Sequence, residues 1–325
     1  MSSDDPQTLK SRLPAPIAER VTSLRFAEGR TIVVLDVSGL AANDREALEA
    51  DTRAALQDAP GEVHIAMTAD RTEPAKPRRR IIAVGSGKGG VGKSTVATNL
   101  AVALARSGVR VGMVDADIYG PSQARLLDTE DLKPIARDKT LIPVQSRWGV
   151  KVLSMAHLAK PGDAIAWRGP MAGNALVQML DGDWTDVDVL IVDLPPGTGD
   201  IQLTMLQRFK PDGAVIVSTP QDLALIDARR AIALFDKGGV PIIGLIENMA
   251  GYACPHCGEV SDPFGRGGAE TAASDMHHPF LGRIPLDITI RQESDAGTPT
   301  AAGDGAQAQA FQAIGGQVAA WIAAR

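Results

Sequence analysis

Thiols are scarce in this chain: among 325 residues only Cys254 and Cys257 are cysteine. Two cysteines three apart cannot build the multi-bridge framework of a small secreted protein, and in a reducing compartment they argue for metal or redox chemistry over a structural staple. Long apolar runs are missing too. No stretch approaches the roughly 18 consecutive apolar residues of a membrane-spanning helix, and the start, Met1-Ser2-Ser3-Asp4-Asp5, lacks the charged-then-apolar layout of a signal peptide. A cytoplasmic location with no membrane partner is expected. Basic charge is in deficit: 33 basic against 39 acidic residues gives −6, which leaves no overall electrostatic case for a nucleic-acid partner. The one basic cluster, Lys76 to Arg80, lies among Pro74 and Pro77 and reads as an exposed linker. There is no internal repeat. What remains is 44% hydrophobic and 22% charged, enough for one large domain with a proper core and a small one beside it.

Against that background one stretch stands out. Gly87-Lys88-Gly89-Gly90-Val91-Gly92-Lys93-Ser94-Thr95 follows the apolar run Ile81-Ile82-Ala83-Val84 and precedes a helix-like segment from Val96 to Arg106. Glycines at 87, 89, 90 and 92 let the backbone turn its N–H groups around an anion, and the following helix points its positive end at the same place. The pattern G-x-x-x-x-G-K-[S/T] is met, so Lys93 is expected to reach the β- and γ-phosphates of a nucleotide and Ser94 to hold Mg²⁺.

The flanking chain divides by pattern. Residues 8 to 25 carry apolar positions at helical spacing, limited by Pro14 and Pro16. Thr31–Val37 and Glu62–Met67 are strand-like, and Asn43 can cap a helix running to about Gln57. A small α+β domain over residues 1–70 results, followed by a Pro- and Arg-rich linker over 71–80. From Ile81 to Arg325 strand and helix patterns alternate, with strands expected at 81–85, 110–115, 150–154, 187–193, 213–218, 240–247 and 279–284. The fold class expected is α/β, a doubly wound, mostly parallel sheet with helices on both faces. The alanine-rich segment from Gly303 to Arg325 reads as a packing helix interrupted at Gly315-Gly316.

In such a sheet the chemistry sits at the carboxyl ends of the strands. After Val109–Val114 come Asp115 and Asp117, either able to help order Mg²⁺ or the attacking water. After Val187–Val192 comes Asp193, an acid ending a buried apolar strand, which is costly without a cation; this is the expected Mg²⁺-side carboxylate. Gly197 can offer a backbone N–H to a γ-phosphate. Asn248 follows another strand, where its amide can pair with a purine edge. Just beyond it, Cys254-Pro-His-Cys257 presents two thiols on a tight turn. Zinc or an iron–sulfur cluster needs four ligands, so three readings stay open: a second copy of the chain doubles the pair, His256, His277 or His278 completes it, or it is a dithiol redox couple.

The extra lysine, Lys88, in Gly87–Ser94 resembles the deviant P-loop ATPases related to MinD and ParA. Trp167-Arg-Gly-Pro170, Asp193-Leu-Pro-Pro-Gly-Thr-Gly-Asp200, Thr219-Pro-Gln-Asp222, Glu247-Asn-Met249 and Cys254–Cys257 together resemble the Mrp/ApbC family of iron–sulfur cluster carriers, continuously over about residues 80 to 297. The resemblance implies a homodimer that binds and hydrolyses ATP, carries a [4Fe-4S] cluster between two C-x-x-C loops and delivers it to apo iron–sulfur proteins. It also implies that Lys88 reaches the partner's nucleotide and that Asp117 and Asp193 fill the switch positions, beside Lys93 in the catalytic set. The first 70 residues resemble more faintly a small assembly domain, here without cysteine. Two rival functions remain. A MinD/ParA-type positioning ATPase would need a basic amphipathic tail or basic surface, and an ATP-driven reductase would keep its cluster.

Overall fold

The computed structural model describes residues 9–10, 13–27, 29–68, 79–118, 120–158 and 169–325. The chain divides into two compact units, Met1–Lys76 and Pro77–Arg325.

In the first unit, β1 (Val21–Ala27) pairs antiparallel with β2 (Arg30–Asp36), and helix α1 (Ala42–Ala55) crosses over to β3 (Glu62–Thr68), which runs parallel to β2. Alternation in β2 turns Val33 and Leu35 into a small core with Leu13, Ile17, Val21 and Leu56. The helical spacing over 8–25 is mostly not realised. Only a four-residue turn, Ala15–Ala18, is helical after Pro14, and residues 21–27 are strand, because they hydrogen-bond to β2 across the reversal at Gly29. Ala41, not Asn43, occupies the N-cap of α1, and no side chain caps it.

The second unit is built on one nine-stranded sheet. Its strands are β4 (Arg80–Gly85), β5 (Val111–Asp115), β8 (Val144–Gln145), β9 (Val150–Ser154), β10 (Val189–Asp193), β11 (Gly213–Ser218), β12 (Ile242–Ala253), β13 (Val260–Ser261) and β14 (Phe280–Leu286). The order is β13-β12-β11-β4-β10-β5-β9-β8, with β14 also on β12. All seven strands expected from the apolar runs are present and mutually parallel; only the short β8 and β13 run antiparallel. A separate hairpin, β6 (Ile135–Arg137) with β7 (Thr140–Ile142), stands apart from the sheet. Of the expected linker, 71–78 lie outside the described residues. Arg80 already begins β4, with its guanidinium 3.4 Å from Asp212.

Both sheet faces are covered, which is why the strands are apolar throughout rather than alternating. One face packs on helix α2 (Lys93–Arg106) through Val96, Leu100 and Leu104; the other packs on α4 (Gly169–Leu180) through Leu176 and Met179. Between them in the chain lie two single turns, α3 (Gln123–Leu126) and, after β9, Met155–Leu158. The carboxyl-terminal helix runs unbroken over Ala306–Ala323, correcting the expected interruption. Its Gly315 is there for contact: a Cβ would stand 2.7 Å from Ala103 Cβ of α2. The two helices approach too closely for a side chain, and tertiary packing overrides the low helix propensity of glycine.

Candidate functional site

The phosphate cradle forms where β4 ends. Residues 86 to 92 turn outside the sheet and α2 begins at Lys93, with Gly92 as its N-cap in the left-handed region (φ 77°) and no capping side chain. The first N–H groups of α2 therefore stay open to an anion. Two glycines are fixed by what surrounds them. A Cβ on Gly87 would lie 1.9 Å from the Asp227 backbone, and one on Gly92 would lie 2.2 Å from Asn248 Nδ2. The cleft, of about 220 Å³, is lined by Ser86, Lys88, Gly89, Gly90, Val91, Gly92, Lys93, Ser94, Thr95, Asp117 and Pro196. Lys88, Gly89 and Gly90 are exposed at its lip, and Val91 is buried beneath it.

Lys93 does not extend into open solvent. It is 6% exposed, and its Nζ lies 2.5 Å from Asp193 Oδ1 and 3.4 Å from Ser94 Oγ. Asp193 and Asp115 end the neighbouring parallel strands β10 and β5 in direct register, and both are fully buried. Asp115 Oδ2 accepts from Ser122 N at 2.9 Å, Gln123 N at 2.9 Å and Ser154 Oγ at 2.8 Å. Burial, and then the nearby Asp193 carboxylate, push Asp115 up to about 7. Asp117 is half-buried on the cradle wall, with its N–H 3.3 Å from Asp115 Oδ1. Asp193 is thus paired with the one ammonium of Lys93, close to the Ser94 hydroxyl, and a carboxylate with a hydroxyl beside a phosphate cradle is a donor set that fits a divalent cation.

The remaining expected residues are distributed around this centre. Gly197 (φ 88°) donates its N–H to Ser86 O at 3.0 Å, and Gln202 pins the same loop through Pro195 O and Gly197 O. Asn248 is buried and donates from Nδ2 to Val91 O at 2.8 Å, which places its amide beneath the cradle loop. Trp167 and Arg168 lie outside the described residues. Two buried residues near the centre carried no recognisable pattern: Gln123 and Thr98. Asp115 shared its signal with Asp193, an acid ending an apolar strand.

The cysteines sit at the tip of a hairpin that continues β12. Tyr252 and Ala253 pair with Ser261 and Val260 of β13, and Cys254 N donates to Glu259 O and Gly258 N to Cys254 O, both at 2.9 Å. Cys254 is half-buried and Cys257 exposed; neither is in a disulfide. The N–H groups of Cys257 and His256 hold the Cys254 thiol below its ordinary value. Among the described residues no group of three or more His, Cys, Asp and Glu is placed to hold a metal ion. His278 instead faces Asp236, 3.7 Å away. At the hairpin's base, Glu247 accepts from Gly267 N (3.0 Å), Ala269 N (2.8 Å) and Arg283 Nε (3.1 Å), tying the outgoing strand to the returning chain. One strand, β12, therefore touches the cradle through Asn248 and carries Cys254 six residues later, at most about 20 Å along an extended chain. Among the described residues no helix is long and apolar enough to cross a membrane.

Comparison with known proteins matches this arrangement. Residues 78–319 fit the family profile described as ParA, NUBPL iron-transfer P-loop NTPase. The iron-sulfur cluster carrier protein of Deinococcus radiodurans is 47% identical over 288 residues, 86% of this chain and 81% of that protein. The protein of the same name in Escherichia coli K12 is 50% identical over 224 residues, 68% of this chain; that stretch is 60% of the Escherichia coli protein. Among solved structures, a nucleotide-binding protein from Archaeoglobus fulgidus in complex with ADP is 41% identical with a TM-score of 0.60, covering 67% of this chain and 86% of that one. The septum site-determining protein MinD of Pyrococcus horikoshii, complexed with Mg-ADP, is 25% identical with a TM-score of 0.54, covering 74% and 96%. With a cradle at the carboxyl end of a doubly wound sheet and a profile match over most of its length, this chain belongs to the NUBPL iron-transfer family of ParA-type P-loop NTPases.

Proposed function

We propose that this protein is an ATP-dependent iron–sulfur cluster carrier: it binds and hydrolyses Mg-ATP at the cradle and holds a [4Fe-4S] cluster, as cargo, between the cysteine hairpins of two copies, for transfer to apo iron–sulfur proteins. The observation that carries the reading is that β12 joins both sites, Asn248 under the cradle loop and Cys254–Cys257 at an exposed tip. That no third His, Cys, Asp or Glu among the described residues is placed to hold a metal ion together with the pair favours doubling over completion by histidine. The named carriers at 47% and 50% identity support the same cargo.

At the cradle, the open N–H groups of α2 and Lys93 bind the phosphates, and Lys93 exchanges Asp193 for the more highly charged β- and γ-oxygens. Ser94 Oγ and, through water, Asp193 are the residues that would hold Mg²⁺, whose part is to neutralise charge on those oxygens. Asp117 orients the attacking water. Gly197 turns its N–H from Ser86 O to the γ-phosphate, and Asn248 supports the loop beside the base. Lys88, exposed at the lip, reaches the nucleotide of the second copy.

Anaerobic reconstitution of Cys254→Ala and Cys257→Ala tests the assignment. Each variant leaves two thiolates across the interface instead of four, so cluster uptake should collapse while Mg-ADP affinity stays within about twofold of the parent chain. Normal cluster uptake by either variant would contradict it.

A further inference from the structure

We propose that Gln123 is the residue that keeps Asp193 aimed at the cradle once Lys93 leaves it, and so sets the magnesium dependence of nucleotide binding; this rests on the Mg-nucleotide reading of the site.

Gln123 is fully buried at the start of the single turn α3. It touches both carboxylates. Its main-chain N–H donates to Asp115 Oδ2 at 2.9 Å, and its side-chain Nε2 donates to Asp193 Oδ2 at 2.9 Å and to Ser94 O at 3.0 Å. Its Oε1 lies 2.6 Å from Thr98 Oγ1, one turn along α2 from Ser94, and that hydroxyl, also 2.9 Å from Ser94 O, makes its shorter contact with the amide. Both amide hydrogens are used, and the amide has only one workable orientation: turned over, Oε1 would face two acceptor oxygens and Nε2 would face the hydroxyl. Thr98 thus fixes Gln123, and Gln123 fixes Asp193.

The two oxygens of Asp193 are divided between partners. Oδ1 is held by the Lys93 ammonium and Oδ2 by the Gln123 amide. When phosphates draw Lys93 away, Oδ1 is released beside Ser94 Oγ while Oδ2 stays anchored, so the carboxylate presents one oxygen in a set direction. Without the amide, Asp193 has no other tether at Oδ2 among the described residues and can turn away from the set direction, misaligning the cation site. Gln123 is in this sense a positioning residue. Partners of this kind, one layer behind a metal ligand, typically change metal affinity by about 10- to 100-fold when removed.

Gln123→Met keeps the volume and removes both donors. Thr98→Val keeps the shape and removes the hydroxyl that orients the amide, and Thr98→Ser restores it. Equilibrium binding of a fluorescent methylanthraniloyl-ADP to the full chain, with magnesium titrated from excess chelator upward, separates the roles. For Gln123→Met we expect affinity without magnesium within about threefold of the parent, and a magnesium requirement raised about tenfold or more. Thr98→Val should shift in the same direction by less, and Thr98→Ser should match the parent. A magnesium curve like the parent's in Gln123→Met, or in Thr98→Val should the first variant not fold, would overturn the inference. So would an equal loss with and without magnesium, the mark of a merely structural role. No binding by the parent chain would overturn the nucleotide reading itself and this inference with it.

Discussion

Asp115 and Asp193 lie side by side at the ends of two strands, fully buried, with the Lys93 ammonium paired to Asp193. An acid ending a buried apolar strand is visible in a sequence because its burial is costly, and Asp193 announced itself that way; Asp115 ends β5 in the same manner and lies in register with it. Gln123 and Thr98 were invisible, because a buried amide and hydroxyl satisfied by each other, Ser94 O and Asp193 leave no pattern in the chain. The buried pair makes a prediction about pH. The folded protein holds the Asp115 proton up to about 7, whereas an unfolded aspartate releases it near 3.8, so the folded state binds more protons between those values. Stability contributed by this group therefore falls as pH rises through that window, by an amount on the order of a few kcal/mol. Melting temperatures of nucleotide-free protein and of Asp115→Asn between about pH 5 and about pH 7 should show the steeper decline in the parent; parallel slopes would contradict the buried, raised carboxylate. Lys93 carries a second prediction. Lys93→Met removes the phosphate contact and leaves Asp193 without its counter-ion, so nucleotide affinity should drop by about 100-fold or more and stability by about 3 kcal/mol. Titration and melting check both; undiminished nucleotide affinity would sink the role.

Elements were legible where burial on both faces wrote continuous apolar runs, as in all seven parallel strands, and illegible where local pattern was outvoted by a partner. The helical spacing at 21–25 lost to strand pairing with β2, and Gly315-Gly316 failed to break the last helix because Gly315 lies against Ala103. The two glycines should respond oppositely to alanine. Gly316 faces open space, so Gly316→Ala should stabilise by about 0.5–1 kcal/mol through helix propensity alone. Gly315→Ala forces a methyl to within 2.7 Å of Ala103 Cβ and should destabilise by about 1–3 kcal/mol. Thermal unfolding of both variants would show it, and like effects at the two positions would refute the close helix approach. The hairpin beyond β12 was expected as a turn; that it grows out of the strand carrying Asn248 depended on long-range pairing with β13 and β14, which no local pattern encodes.

At the scale of the molecule, the unit Pro77–Arg325 holds the cradle, both buried carboxylates and both cysteines, and the unit Met1–Lys76 holds no cysteine. A chain beginning near Arg79 should therefore take up a cluster and bind nucleotide as the full chain does, within about twofold. A folded truncation that takes up no cluster would show that the first unit contributes to the site. The central claim, that two copies share one cluster through Cys254 and Cys257, is a statement about stoichiometry. The most direct measurement is iron and zinc analysis of anaerobically reconstituted protein, with its mass in solution measured on the same sample. One cluster shared by two copies gives a brown dimer with about two irons per chain, reverting toward monomer as the cluster is removed. A colourless monomer carrying one zinc per chain would contradict it.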